Sequence, residues 1–255
     1  MILRNPSGLR QRRRSKARIW AGLALAASLL GGCAYQPSGQ LGSGSSIDNP
    51  IERKFTWFSY LDGADIRNSC AAGGPDQYRI VYNGQYYDHV RTYDLAVAGK
   101  PHLTARARGQ SGNLMDMGFN SFDELLGPWN FRRSDSDLSA AELSKLRELL
   151  HQAGFASGSQ AGLRLHSQDF YWLVAGCESG KFFINAWADK PRAISLTRTA
   201  FLDFLLKHDQ TGVAYLPPRP VTYMDKNDQG KGRHRDFNGA FVITLRADGI
   251  GRAGL

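Results

Sequence analysis

The chain of 255 residues carries a formal net charge of +9 at pH 7, a value that is common among proteins that bind nucleic acids. However, Met1–Gly32 contains seven basic residues and no acidic residue, so the rest of the chain has a net charge of only +2. We therefore exclude nucleic acid as the expected partner. The part that remains from Ile51 onward, about 205 residues, is long enough for one sizeable hydrophobic core.

The first thirty residues are organised like an export signal. A basic block precedes the apolar run Ile19–Leu30, "IWAGLALAASLL", which has twelve residues. A membrane-spanning helix needs roughly 20 apolar residues, so this run is too short to span and predicts the core of a secretion signal. The paired arginines of "RRRSK" raise the alternative of twin-arginine export, but the apolar residues of that motif do not follow them, which favours Sec export.

The segment Leu30–Cys33, "LGGC", resembles the lipobox of bacterial lipoprotein precursors. In that family the cysteine sulfur receives a diacylglyceryl group, signal peptidase II cleaves before the cysteine, and the new amino group is often acylated too. The resemblance implies that residues 1–32 are removed and that Cys33 anchors the mature chain. Ala34 stands where enterobacterial relatives retained in the inner membrane have aspartate, which favours the outer membrane and a domain facing the periplasm. The alternative is an ordinary secretory signal, or an uncleaved anchor, with a chance cysteine.

The chain has three cysteines, and assigning Cys33 to lipid leaves Cys70 and Cys177 as a pair in an oxidising compartment. We predict a disulfide between them, the alternative being two buried thiols. Gln36–Pro50 is rich in Gly, Ser and Pro and lacks the apolar residues that a core requires. Residues 33–50 are therefore predicted to form a flexible tether, followed by a single domain over residues 51–255.

Strand signals dominate the first half of the domain. Phe55–Leu61 is aromatic and ends at an Asp-Gly turn signal, which predicts a strand. The dipeptide Asn83-Gly84 between two β-prone runs predicts a hairpin with a type I′ turn. His102–Arg108 alternates apolar and polar residues and predicts another strand.

The second half adds two helices. Ser139 begins a capping box, and leucines then recur at helical spacing for about 15 residues. Phe170–Trp187 predicts a second hairpin with its turn near Glu178–Lys181, Thr199–His208 has a helical apolar stripe, and Phe241–Leu245 predicts a closing strand. The expected fold is α+β: a single domain with a largely antiparallel sheet of hairpins and two packed helices.

One segment approaches the calcium-loop pattern. Asp225–Asp236, "DKNDQGKGRHRD", places Asp225, Asn227 and Asp236 at ligand positions, with a glycine at the sixth position for the sharp turn. Four basic residues in the loop would repel the cation, and the prolines upstream are incompatible with the usual entering helix. A solvated loop is the favoured interpretation, and we predict no metal and no cofactor.

Catalytic motifs are missing from the sequence. The six histidines show no metal-ligand spacing, and there is no GxSxG, SxxK or CxxC. Aromatic side chains are numerous, and Tyr86-Tyr87, just after the predicted turn, is the pair that fits least easily in a core, so it is our candidate for binding glycan or peptide. The alternative is that these aromatics belong to the sheet core.

The expected function is that of a lipid-anchored cell-envelope protein with a non-catalytic binding or accessory role. Its partners would be the membrane, through Cys33, and an envelope protein or the cell wall. The alternative is an envelope hydrolase acting on cell-wall material, because catalytic residues can converge from distant positions without leaving a local motif.

Overall fold

The computed structural model describes residues 35, 46–86, 88–109, 130–157, 160–188, 200–219 and 241–253. The helices are α1 (Pro50–Asp62), α2 (Ala64–Ala71), α3 (Ala140–Gln152) and α4 (Leu202–His208). The strands are β1 (Gln77–Gly84), β2 (Val90–Ala96), β3 (His102–Arg108), β4 (Arg132–Asp137), β5 (Arg164–His166), β6 (Phe170–Glu178), β7 (Lys181–Ala188), β8 (Val242–Arg246) and β9 (Gly249–Ala253). Of the four described helices, none combines the length and the apolarity that crossing a bilayer requires.

Six strands form one antiparallel sheet in the order β4-β3-β2-β1-β6-β7, and the other three form a small sheet in the order β5-β8-β9. Strand β1 lies near the centre of the large sheet because it pairs with β2 on one side and with β6 on the other. The pairs β1–β2, β2–β3 and β6–β7 connect consecutive strands. The predicted α+β class with a largely antiparallel sheet of hairpins is confirmed.

Both faces of the large sheet are covered. On one face, Ile80 of β1 lies in a core cluster with leucines of α3 and α4. On the other, Val81 lies in a second cluster with Tyr60 of α1 and Leu245 of the small sheet. Because successive strand residues point to opposite faces, a strand covered on both sides is apolar along most of its length. This explains why β1 and β6 show no clean alternation in the sequence.

Two predicted elements of the second half form from local signals. The capping box of α3 is present, with the Glu142 N–H donating to Ser139 Oγ at 3.2 Å and the Ser139 N–H donating to the Glu142 carboxylate at 2.8 Å. The β6–β7 hairpin turns at Ser179 and Gly180, which both have positive φ, 51° and 73°. Such a turn matches the right-handed twist of the paired strands.

The predicted strand at Phe55–Leu61 is wrong, since these residues belong to helix α1. The Asn49 side chain accepts hydrogen bonds from the first amides of the helix, Pro50 occupies its first turn, and Gly63 ends it with a φ of 64°. A capping asparagine, an N-terminal proline and a left-handed glycine are the standard signals of helix ends. Together they outweigh the β propensity of the aromatic residues between them.

The β1–β2 hairpin is confirmed, but its predicted turn at Asn83-Gly84 is wrong. Asn83 pairs with Val90 inside the ladder, and the chain leaves the ladder only after Gly84, at Gln85, which adopts a φ of 62°. The Asn83 amide donates to the carbonyl oxygens of Ser167 and Asp169, at 3.0 and 2.6 Å. Asn83 therefore fastens the sheet to a distant loop instead of forming a turn.

The described part of the domain includes residues before Ile51. Ile47 is fully buried and accepts a hydrogen bond at its carbonyl oxygen from Arg53 at 3.0 Å. Tyr35 is also buried, in the same core cluster as α1. Both residues lie in the region that the sequence assigns to the anchor and tether.

Candidate functional site

The predicted disulfide between Cys70 and Cys177 is present, with the two Cα atoms 5.6 Å apart. Cys70 lies on α2 and Cys177 on β6, and both are buried. The bridge therefore fastens a helix to the large sheet, rather than joining two hairpins of the sheet to each other. It also lies next to the β1–β6 pair, where Cys177 faces Gln77.

A network of buried charges connects α1 and α2 to the sheet. Arg79 of β1 donates two hydrogen bonds to Asp65 and one to Asp94, all at 2.8 Å, and a further one to the Tyr60 carbonyl oxygen at 2.9 Å. Asp94 lies on β2, and Arg106 of β3 donates to it from the other side at 2.8 Å. Each of the three guanidinium nitrogens of Arg79 donates to at least one acceptor, so this side chain stabilises the contact of both helices with the sheet.

The electrostatic effect of this network is strongest at Asp94. Burial raises the pKa of the Asp94 carboxyl, but the facing guanidinium groups of Arg79 and Arg106 outweigh burial and lower the pKa below its ordinary value. Tyr60, whose hydroxyl donates to Asp94 at 2.9 Å, has its pKa raised, first by burial and then by that carboxylate. Near neutral pH, Asp94 therefore stays ionised and Tyr60 stays neutral, and neither side chain is suited to act as a general acid or base.

A second charged group lies on the opposite face of the sheet. Arg91 forms an ion pair with Asp209, which also accepts from the Tyr93 hydroxyl at 2.9 Å. Arg91 donates to His89 Nε2 at 3.0 Å as well, so the imidazole must accept at that nitrogen. Burial and the adjacent guanidinium lower the pKa of His89 to about 3, and His89 is therefore neutral at physiological pH.

Two further histidines contact carboxylates, but neither arrangement resembles a catalytic dyad. Both ring nitrogens of His102 contact carboxylates, Asp137 at 2.9 Å and Asp135 at 3.2 Å, which leaves neither nitrogen for a nucleophile. His151 contacts Glu178 at 2.8 Å on the surface. Among the described residues, none of the histidines accepts a hydrogen bond from a serine, threonine or cysteine, as nucleophile activation requires. The same residues contain no group of three or more histidine, cysteine or carboxylate side chains placed to hold a metal ion.

Tyr86 is half-buried in an aromatic cluster beneath α1. Its ring lies 5.5 Å from that of Trp57 and 5.2 Å from that of Phe241, and the Arg108 guanidinium lies 5.2 Å from its centre. The Tyr86 amide donates to the Ser167 carbonyl oxygen at 2.7 Å. The ring thus packs between α1, β3 and the small sheet, in agreement with the interpretation that these aromatics build the core.

The remaining predicted site residues lie outside the described residues. They are the lipidation candidate, the second tyrosine of the candidate binding pair and the three calcium-loop candidates: Cys33, Tyr87, Asp225, Asn227 and Asp236. Their assignments stay predictions from the sequence.

The outer face of α1 is the apolar surface that the fold leaves open. Ile51 and Phe55 are 48% and 61% exposed, and they are the exposed large hydrophobic side chains of the described residues. Residues four apart lie on the same side of a helix, so Ile51, Phe55 and Ser59 follow one another along α1. We call Ile51 and Phe55 the outer pair.

Tyr35 contacts α1 at Ser59, the last residue in this row along the helix. Its amide donates to Ser59 Oγ at 2.7 Å, and its ring lies edge-on to that of Tyr60 at 4.9 Å and 4.8 Å from the Arg79 guanidinium. Sequence reasoning missed both Tyr35 and the outer pair, because Phe55 was placed in a strand. The signal was available: Asn49-Pro50 marks a helix start, and apolar residues at helical spacing on both sides of α1 imply that one side stays uncovered.

Comparison with the models of known protein families, with curated proteins and with solved structures finds no match to this chain.

Proposed function

We propose that this chain is a lipid-anchored protein of the bacterial cell envelope, held in the outer membrane through Cys33, with a non-catalytic binding or accessory role in the periplasm. The observation that carries the proposal is the disulfide between Cys70 and Cys177. Disulfides persist in oxidising compartments and are rare in the cytosol, so the bridge is consistent with an exported domain.

The cysteine content supports the lipid attachment. The chain has three cysteines, and the bridge uses two of them, which leaves only the one in the lipobox-like segment. More than one acyl chain gives stable anchoring where a single chain binds only marginally, so the family's modification would suffice to hold the domain at a membrane.

The polar groups support a non-catalytic role. The buried arginines Arg79 and Arg91 are engaged by carboxylates and carbonyl oxygens, and His89 accepts from Arg91. A catalytic acid or base needs a pKa near the working pH and access to the substrate. In the two charged groups, the pKa values of Asp94, Tyr60 and His89 are all shifted away from neutral pH, so none of these three side chains is suited to that role.

The anchor is tested by labelling with a palmitate analogue in a Gram-negative host, followed by separation of the two membranes. We expect the native chain to incorporate the label and to fractionate with the outer membrane, and Cys33→Ala to lose the label. Ala34→Asp is the matched control, because it keeps the lipidated cysteine and is expected to retain the labelled protein in the inner membrane. A native chain that carries no label would refute the anchor.

The non-catalytic role is tested separately. The purified mature chain is incubated with peptidoglycan and with ester and phosphate substrates, and turnover of any of them would favour the hydrolase alternative. Crosslinking in intact envelopes, followed by purification, compares the native chain with Cys33→Ala. We expect a partner that is recovered with the anchored chain and lost with the variant, since an accessory component must be near its partner at the membrane.

A further inference from the structure

We infer that the outer pair on α1, Ile51 and Phe55, rests on the surface of the lipid bilayer that carries the acyl chains of Cys33. This inference depends on the lipid attachment proposed above and adds to it the orientation of the domain. The occupant of the exposed helix face would be the membrane itself.

The first step is the position of the anchor relative to the helix. Tyr35 is buried and bonded to Ser59, so the chain is fixed to α1 only two residues after Cys33. Two residues of extended chain reach at most about 7 Å. A lipidated cysteine at position 33 would therefore lie near Ser59, and the predicted tether over residues 33–50 would not hold the domain away from the membrane.

The second step is the position of the outer pair along α1 relative to Ser59. Ser59 follows Phe55 by four residues and Ile51 by eight, so the row that ends at the Tyr35 contact contains both residues of the outer pair. The bilayer surface at Cys33 thus lies on the side of the helix where the outer pair is exposed. The opposite side of α1 contributes Trp57, Tyr60 and Leu61 to the core and is not available.

The third step is the chemistry of this face. Between the two apolar residues, α1 exposes Glu52 and Lys54, whose charges cancel. A helix of 13 residues is about 20 Å long, too short to span but long enough to lie along the headgroup region with one side in contact. A large apolar side chain that is 61% exposed, as Phe55 is, finds an apolar environment at such a surface. We expect the contact to be apolar and insensitive to salt.

The test uses spin labels on the full lipidated protein in vesicles of phosphatidylethanolamine and phosphatidylglycerol. Phe55→Cys gives the probe site and Lys145→Cys the matched control, because Lys145 is exposed on α3, which packs on the opposite face of the sheet. With Cys33 acylated and the other two cysteines bridged, the introduced thiol is the one that reacts. Collision rates with oxygen, which concentrates in bilayers, and with a water-soluble nickel chelate are measured at both positions.

We expect the ratio of oxygen to nickel collisions to be at least about threefold higher at position 55 than at position 145, and to be the same in low and high salt. Equal ratios in lipidated protein would overturn the membrane contact. A label at position 55 that is shielded from both reagents would also overturn it, because a protein or a second copy would then cover the face.

The mass of the N-terminal peptide is measured on the same sample and separates the two proposals. Acyl chains on Cys33 with a water-exposed label at position 55 leave the anchor intact and reject only the orientation. A peptide without acyl chains rejects the anchor and the orientation together.

Discussion

Removing the bridge between Cys70 and Cys177 should destabilise the domain strongly. The two cysteines are separated by 107 residues in the chain. For a closed loop of this length, the chain-entropy model gives about 5 kcal/mol of stabilisation through restriction of the unfolded state. Each kcal/mol shifts the melting temperature of a chain of this size by about 2–4 °C, so the double variant Cys70→Ala, Cys177→Ala is expected to melt about 10–20 °C lower.

The assay is urea unfolding of the purified mature chain, followed by tryptophan fluorescence, since Trp57 and Trp172 are both buried. The native chain in a thiol reductant is the control, and its free energy of unfolding should approach that of the double variant. A difference of less than about 1 kcal/mol between oxidised native chain and variant would refute the reasoning, because the bridge would then restrict little of the unfolded ensemble.

Three further predictions concern the charged groups and one glycine. Arg79→Met leaves the buried carboxylate of Asp65 without its cation and leaves Asp94 paired with Arg106 alone, and it should lower the free energy of unfolding by about 3–5 kcal/mol in urea titrations. A loss below about 1 kcal/mol would contradict the role of the network. His89 has a pKa of about 3 in the folded chain and about 6.5 when unfolded, so stability should fall by about 1.4 kcal/mol per pH unit as the pH drops from 6.5 towards 3. His89→Gln, which keeps an acceptor, should remove that part of the slope, and an unchanged slope in urea titrations at several pH values would disprove its assignment. Gly63 has a φ of 64°, and a Cβ at this position would lie only 2.9 Å from the Ala175 Cβ, so Gly63→Ala should lower the free energy of unfolding by about 2–4 kcal/mol in urea titrations. Gly180 has a φ of 73° but open space around it, so Gly180→Ala should lower it by only about 1–2 kcal/mol. Equal losses of stability in the two variants would contradict the steric contact with the sheet.

The elements that the sequence predicts well depend on local interactions. The capping box at Ser139 and the turn at Ser179-Gly180 each form between residues a few positions apart, and both appear where they were expected. The aromatic composition of Phe55–Leu61 predicts a strand, whereas Asn49-Pro50 before it and Gly63 after it are signals of helix ends that are visible in the sequence. The helix shows that these end signals are the stronger evidence for this segment.

Other features depend on contacts that no local pattern encodes. Asn83 was expected to form a turn because of its neighbour Gly84, but its amide is engaged by carbonyl oxygens more than 80 residues away. Likewise, nothing in the sequence pairs Arg79 with Asp65 and Asp94, because opposite charges are frequent. The Asp94 pair follows from the strand register and the Asp65 pair from the packing of α2 on the sheet. The exposure of the outer pair on one side of α1 can be predicted only once this segment is recognised as a helix.

The central position of β1 has a consequence for the order in which the chain becomes structured as it emerges during synthesis or during the export that we propose. Strands β1 to β4 form a continuous meander from consecutive segments, but the other edge of β1 is completed only by β6, about one hundred residues later. Until Phe170–Glu178 has emerged, β1 is an edge strand with unpaired backbone groups, a state that promotes association with other chains. Cys177 arrives with the missing strand, so oxidation of the pair can lock β6 in place once it has docked. The interval in which β1 can associate with other chains therefore ends when Cys177, the second bridging cysteine, emerges with β6.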